Sequence, residues 1–83
     1  MEYKKGSYLQ VGAGTFTGRF QAIRVIADAT ITEIIDSNNR ENSISKYISN
    51  SRQAITNGAT IAARDGAFMK LVTITGGTIE IIF

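Results

Sequence analysis

Along residues 66–83, GAFMKLVTITGGTIEIIF, apolar and polar side chains alternate with the period of an extended strand. Phe68, Lys70, Val72 and Ile74 fall on one face, and Met69, Leu71, Thr73 and Thr75 on the other. Gly76-Gly77 then reads as a two-residue turn, since glycine accepts positive φ without a steric penalty. The segment after it, Thr78-Ile79-Glu80-Ile81-Ile82-Phe83, is rich in β-branched residues and returns as a second arm. Ile79, Ile81 and Phe83 share one side of that arm, which is wholly apolar and must meet a core. Thr78, Glu80 and Ile82 share the other, a mixture suited to partial cover such as a neighbouring subunit.

The same pattern occurs earlier. Residues 18–35, GRFQAIRVIADATITEII, align with 66–83 without a gap at an offset of 48. Gly18 matches Gly66, Phe20 matches Phe68, Ile26 matches Ile74, Thr30-Ile31 match Thr78-Ile79, and Ile34 matches Ile82. Each copy therefore reads as a β-hairpin, the first with arms over 19–27 and 30–36 and Asp28-Ala29 at the turn. Ile31, Glu33 and Ile35 would line one side of its second arm, and Thr30, Thr32 and Ile34 the other. A shorter candidate strand precedes each copy, at 8–11 and at 59–62. The glycine-rich GAGTFTG (12–18) reads as a loop, and Asn57-Gly58 is a strong turn signal.

These elements predict an all-β fold, a small β-sandwich or rolled sheet of about six short strands built from two repeated hairpin units. The whole chain, 1–83, is one domain. The insert at 36–56 interrupts the strand pattern. Its first residues, 36–42, are polar loop, and Ile44, Tyr47, Ile48, Ser51 and Ile55 then follow helical spacing. A short helix around 41–50 is expected, although the alternation of Ser43, Ser45 and Ser49 also allows a strand. Tyr47 and Ile48 are expected to pack rather than to bind.

Composition changes this picture in one respect. A chain of 83 residues buries only about 60–65% of its unfolded surface, so a lone core is marginal and small domains usually carry a staple. With no Cys and no His, disulfides are impossible and a zinc or iron–sulfur site is not expected. Self-association is the staple that remains. The net charge of +2 carries little further information, because the nine Lys and Arg residues are dispersed and only Lys4-Lys5 are adjacent. Nucleic-acid binding usually shows a clustered basic stripe, so it is not the expected role. No apolar run approaches the ~18–20 residues that span a bilayer, and the first ten residues lack the apolar stretch of a signal peptide. No membrane association is expected, and the chain is expected to be made in a cytosol-like compartment.

Catalytic chemistry finds few candidates. GAGTFTG approaches the dinucleotide fingerprint G-x-G-x-x-G, but Thr17 stands at the third glycine and a strand pattern follows where a helix is needed. Glu33 and Glu80 lie near equivalent places in the two copies, on opposite faces, which disfavours a carboxylate pair. Serines and threonines lack a His or Cys to activate them, and Ser43, Ser45 and Lys46 are close only in sequence. No catalytic, cofactor-binding or metal-binding residue is assigned, and no cofactor is expected. Phe20 beside Arg19, and Phe68 two residues from Lys70, could imitate the aromatic and basic interleaving of single-strand-binding barrels. Their recurrence at one place in both copies favours core anchors.

The pattern Gly-x-Phe-x-x-Ile, turn, Thr-Ile over 18–31, then Gly-Ala-Thr-Ile-Ala-Ala at 58–63 and Gly-x-Phe-x-x-Leu-x-x-Ile-x-x-Gly-Thr-Ile over 66–79, resembles small β-rich virion structural proteins of tailed bacteriophages, of the head-decoration or head-fibre type. The resemblance covers roughly 14–35 and 57–83. Ala62-Ala63-Arg64-Asp65-Gly66 stands where such proteins often have Pro-Ala-Gly, the end Ile82-Phe83 is more apolar, and the 36–56 insert is longer. The resemblance implies a homo-oligomer, commonly a trimer, bound to a major capsid or other virion protein, localised in the virion and without catalytic residues. Phe20, Ile31, Phe68, Ile79, Ile81, Ile82 and Phe83 are the expected core and oligomer-interface residues. Within that set Ile79, Ile81 and Phe83 would close the core and Ile82 would help form the subunit contact. A nucleic-acid-binding β-domain and a glycan-binding module are the rival readings.

Overall fold

A computed structural model of the chain describes residues 4–49 and 54–83. Five strands and one short helix follow in order: β1 (Tyr8–Val11), β2 (Gly14–Phe20), β3 (Ala22–Asp36), α1 (Ile44–Tyr47), β4 (Thr60–Ala62) and β5 (Met69–Ile82). All strand pairs are antiparallel and belong to one sheet, in the order β1-β5-β3-β4, with β2 also on β5. The fold is small and all-β.

The two copies of the sequence repeat do not fold back on themselves. They pair with each other. β3 and β5 run antiparallel along their full lengths, from Ala22 opposite Ile82 to Asp36 opposite Met69. The expected turns at Asp28-Ala29 and Gly76-Gly77 are bends inside these long strands, and the bends meet. A Cβ added to Gly77 would fall on the Asp28 carbonyl oxygen, 2.6 Å from the Ala29 Cα and 2.8 Å from the Ala27 carbonyl oxygen. Gly77 has the left-handed φ of +82° that its sequence suggested. The conformation serves a close strand crossing here rather than a hairpin tip. One residue without a side chain gives the clearance that its counterpart, Ala29, cannot.

The bends roll the sheet. Phe20 at the end of β2 pairs with Met69, whereas Ala22, two residues on, pairs with Ile82. The two ends of β5 are therefore brought together, and β1 and β2 lie along its two halves. β2 occupies most of the stretch expected as a loop, because Thr15, Phe16 and Thr17 take ladder positions against Thr73, Val72 and Leu71.

The core lies inside the roll: Phe20, Ile23, Val25, Ile31, Ile34, Met69, Val72, Ile79 and Ile81 are fully enclosed. Irregularities in the β3–β5 register between Ile31 and Glu33, and between Ile35 and Asp36, change which side chains face inward. So Ile31 and Ile34, three residues apart, both point in, against the strict alternation expected of the first copy. In the second copy Met69 enters the core and Phe68 does not. Asp36, two residues beyond Ile34, is carried inside with it.

The outer margin of β3 is sealed along its length. β4 pairs with Ala22, Ile23 and Arg24, and Ile55 exchanges two backbone hydrogen bonds with Ala29. Asn42 and Ser43 bond the backbone of Thr32, Ile34 and Asp36. This explains the polar 36–42 segment and the short helix after it: the connector acts as a side-chain edge strand. The helix falls within the expected stretch but is only four residues long, and the end expected at 50 lies outside the described residues.

Candidate functional site

Three features gather side chains with chemical potential: a buried carboxylate cluster, an open sheet margin and a groove beneath it.

The cluster centres on Asp36, fully buried at the end of β3. Its Oδ1 accepts from the Asn39 side-chain amide (2.7 Å) and the Asn38 N–H (3.1 Å), and its Oδ2 from the Tyr47 hydroxyl (2.7 Å) and Lys46 Nζ (3.1 Å). Lys46 also pairs with Asp65 at 3.2 Å, while Arg64 donates from its N–H to the Tyr47 oxygen and from Nη1 to the Lys46 carbonyl. Burial pushes the Asp36 carboxyl up, but the hydrogen bonds from Tyr47, Asn39, Lys46 and the Asn38 N–H outweigh it and hold the group well below the usual carboxylate range. The bond to Asp36, then that to Asp65, raises Lys46, and burial together with the Asp36 bond raises the Tyr47 hydroxyl. Asp36 is thus an anion, and Lys46 and Tyr47 keep their protons. Both oxygens of the carboxylate are spent on bonds that tie the 38–47 connector to β3, and Lys46 and Tyr47 in turn hold Arg64 and Asp65. That arrangement locks three chain segments together and leaves no lone pair aimed at a substrate.

Sequence reasoning placed Asp36 at the junction of the 30–36 arm and the polar 36–42 loop, and did not place it in the core. The available signal was its spacing: Asp36 lies two residues from Ile34, so if Ile34 is inside, Asp36 is too. Tyr47 and Ile48 do pack against the core, as expected, and Tyr47 additionally carries the Asp36 bond. Glu33 accepts from Thr73 (3.3 Å) and Glu80 pairs with Arg24 (3.6 Å), at separate places on the sheet. The Ser43 hydroxyl bonds the β3 backbone at Ile34 and Asp36 rather than the Lys46 ammonium. Among the described residues no cluster of acids could hold a metal ion, and no helix is long and apolar enough to cross a membrane.

The residues expected at the core and interface separate into two groups. Phe20, Ile31, Ile79, Ile81 and Phe83 are buried within the single chain. The apolar end is thus covered by its own fold: Phe83 is only 6% exposed, packs edge-on against Phe16 at 6.0 Å, and exchanges backbone bonds with Gly6 and Ser7. Phe68 is half-buried. It lies at the sheet margin, where its backbone exchanges hydrogen bonds with Ser37, and the Arg19 guanidinium carbon stands 4.0 Å above its ring. Ile82 is also half-buried, on the outer face of the roll. There it continues a row of neighbours across four strands, Tyr8–Ile82–Ala22–Ala62.

That row ends at the margin formed by β1 and β2. Both strands bond β5 on one side, and no described strand pairs with the other. Over residues 8–20 this margin carries a single charge, Arg19, and no proline. Tyr8 on it is 68% exposed. Where β2 meets the ends of β5, Lys5, Arg19, Phe20, Gln21, Phe68 and Phe83 line a groove of about 330 Å³.

Compared with known proteins, the chain matches no family model, no curated protein and no solved structure.

Proposed function

We propose that the protein is a non-enzymatic structural component that assembles with copies of itself through the β1–β2 margin. The observation that carries this reading is the asymmetry of the sheet. Natural sheets blunt their edges with charge, proline, short strands or covering loops, because unpaired backbone groups recruit other strands. β3 is covered at every stretch and β4 is only three residues long. The β1–β2 margin carries one charge, Arg19, and no proline over residues 8–20, and no described loop or strand covers it; beside it lies the apolar row with exposed Tyr8 and half-buried Ile82. A second chain added there gains main-chain hydrogen bonds and covers the row.

Two assemblies satisfy this geometry. The margin can pair with its own copy about a two-fold axis, or with the β4 edge of the next chain to form a ring. The resemblance of residues 14–35 and 57–83 to tailed-phage head-decoration and head-fibre proteins favours the ring, a trimer. It also supplies the setting proposed here, a virion in which the oligomer binds a major capsid or other virion protein by many weak contacts acting together. The engagement of Asp36, Lys46 and Tyr47 in internal bonds supports a structural rather than a catalytic role.

Light scattering on the purified protein tests the assembly. A mass of several chains is expected, falling to that of one chain in Tyr8→Lys, which alters an exposed side chain and should leave the fold intact. A parent protein that is monomeric at high concentration overturns the proposal. Mass spectrometry of purified virions tests the setting, since absence of its peptides would remove the virion role.

A further inference from the structure

The groove at the meeting of β2 with the two ends of β5 shares Arg19 and Phe20 with the β1–β2 margin, and its other lining residues, Lys5, Gln21, Phe68 and Phe83, lie outside that margin. Three cations elsewhere are engaged, Arg24 with Glu80, Lys46 with Asp36 and Asp65, and Arg64 with the Lys46 carbonyl. Lys5 and Arg19 are the two charged side chains lining the groove, and neither is paired with an acid among the described residues. Lys4 adjoins Lys5 in the chain, and Lys70 lies across from Arg19, because the irregularity between Thr17 and Phe20 sets Gly18-Arg19 opposite it. The floor is aromatic. The Arg19 guanidinium carbon stands 4.0 Å over the Phe68 ring, and Phe20 and Phe83 also line the groove.

We propose that this groove binds one nucleotide of a single-stranded nucleic acid. A guanidinium stacked on a ring presents its second planar face outward, and bases stack on arginine planes as they do on aromatic rings. Arg19 is exposed and so offers that face, and Lys5 in the same groove meets a phosphate. A volume of about 330 Å³ lies at the small end of ligand sites, suited to one nucleotide and too small for a duplex. The basic positions are scattered along the sequence, and its one sign of such a site was the placing of Phe20 beside Arg19 and of Phe68 near Lys70. It takes the rolled sheet to bring Lys5, Arg19 and Phe68 to one place.

The test is a nuclear magnetic resonance titration of the full chain with a short oligothymidylate across a salt series. Shifts centred on Lys5, Arg19, Gln21 and Phe68 are expected. The logarithm of the affinity should fall against that of salt with a slope of about −0.7, the one phosphate contact made by Lys5. Lys5→Gln should reduce the slope by about 0.7. Arg19→Lys keeps the charge and loses the plane, so affinity should drop about ten-fold with the slope unchanged. Both side chains are exposed, and the variants' unchanged amide spectra elsewhere will show that they fold. Shifts confined to residues 8–17, a salt-independent affinity, equal binding of a duplex, or equal binding of a fatty acid each overturn the proposal. None of these outcomes bears on the oligomer mass, so the two readings fail separately.

Discussion

Replacing Gly77 by alanine should be the most damaging single-methyl change available in this chain. Two costs add there. The left-handed φ of +82° penalises an L side chain by roughly 1–2 kcal/mol. The new Cβ would also collide with the backbone of Ala27, Asp28 and Ala29, and a rigid strand cannot swing aside as a side chain can. Overpacking of this kind costs typically about 1–3 kcal/mol. Alanine recovers about 0.4–1 kcal/mol by restricting the unfolded chain, leaving a net loss of about 2–4 kcal/mol. A domain of this size has a total stability of only ~4–12 kcal/mol. With a urea slope near ~1.5 kcal/mol/M the midpoint should fall by roughly 2 M. Two controls separate the causes. Gly58 has a left-handed φ of +98° and open space around it, so Gly58→Ala should show the conformational cost alone. Gly76 has neither constraint, and Gly76→Ala should lie within about 1 kcal/mol of the parent. If Gly77→Ala is no worse than Gly58→Ala, the crossing of the two bends is not a close contact and the description of the β3–β5 ribbon is wrong.

Asp36→Asn should destabilise by about 3 kcal/mol, since it removes a buried charge from Lys46 and leaves the Asn39 amide facing another amide; urea unfolding measures it. Because the folded carboxyl titrates below its unfolded value of about 3.9, its stabilisation is complete above that pH and is lost as pH falls towards the lower folded value. The parent should therefore lose stability on acidification below about pH 4 more steeply than Asp36→Asn, and parallel acid limbs would sink this assignment. Tyr47→Phe keeps the ring and removes one donor to Asp36, so a smaller loss of about 1–2 kcal/mol is expected by the same method. Deleting residues 81–83 removes the buried Ile81 and Phe83 and should unfold the single chain rather than merely change its oligomer size; a deletion variant that keeps its circular dichroism spectrum refutes this.

The pattern of side chains along the chain was sufficient for the all-β class, the location of β1 and β4, the extended conformation of 78–82 and the positive φ at Gly77, and it allowed the helix within 41–50. Each depends on residues near in sequence: β-branched alternation, glycine pairs and helical spacing. The repeat was also visible, but its meaning was not. Two similar segments can each fold into a hairpin or can pair with one another, and local pattern is nearly the same in both cases. The choice lies in contacts between residues about 50 apart, such as Gly77 against Asp28 and Ala29.

Faces were misread wherever a bulge intervened. Strict alternation put Ile34 opposite Ile31 and carried Phe68 inward with Val72, and a single extra residue in the ladder reverses each. Asp36 followed Ile34 inside for the same reason, and its partners Asn39, Lys46 and Tyr47 converge only because the connector is laid along β3. The apolar end has a similar history. Its residues announced that Ile79, Ile81 and Phe83 must be covered, and hydrophobicity alone fixes that need. Which surface covers them is a question of shape, and the rolled sheet supplies it from Phe16, Phe20 and the chain's own first turn.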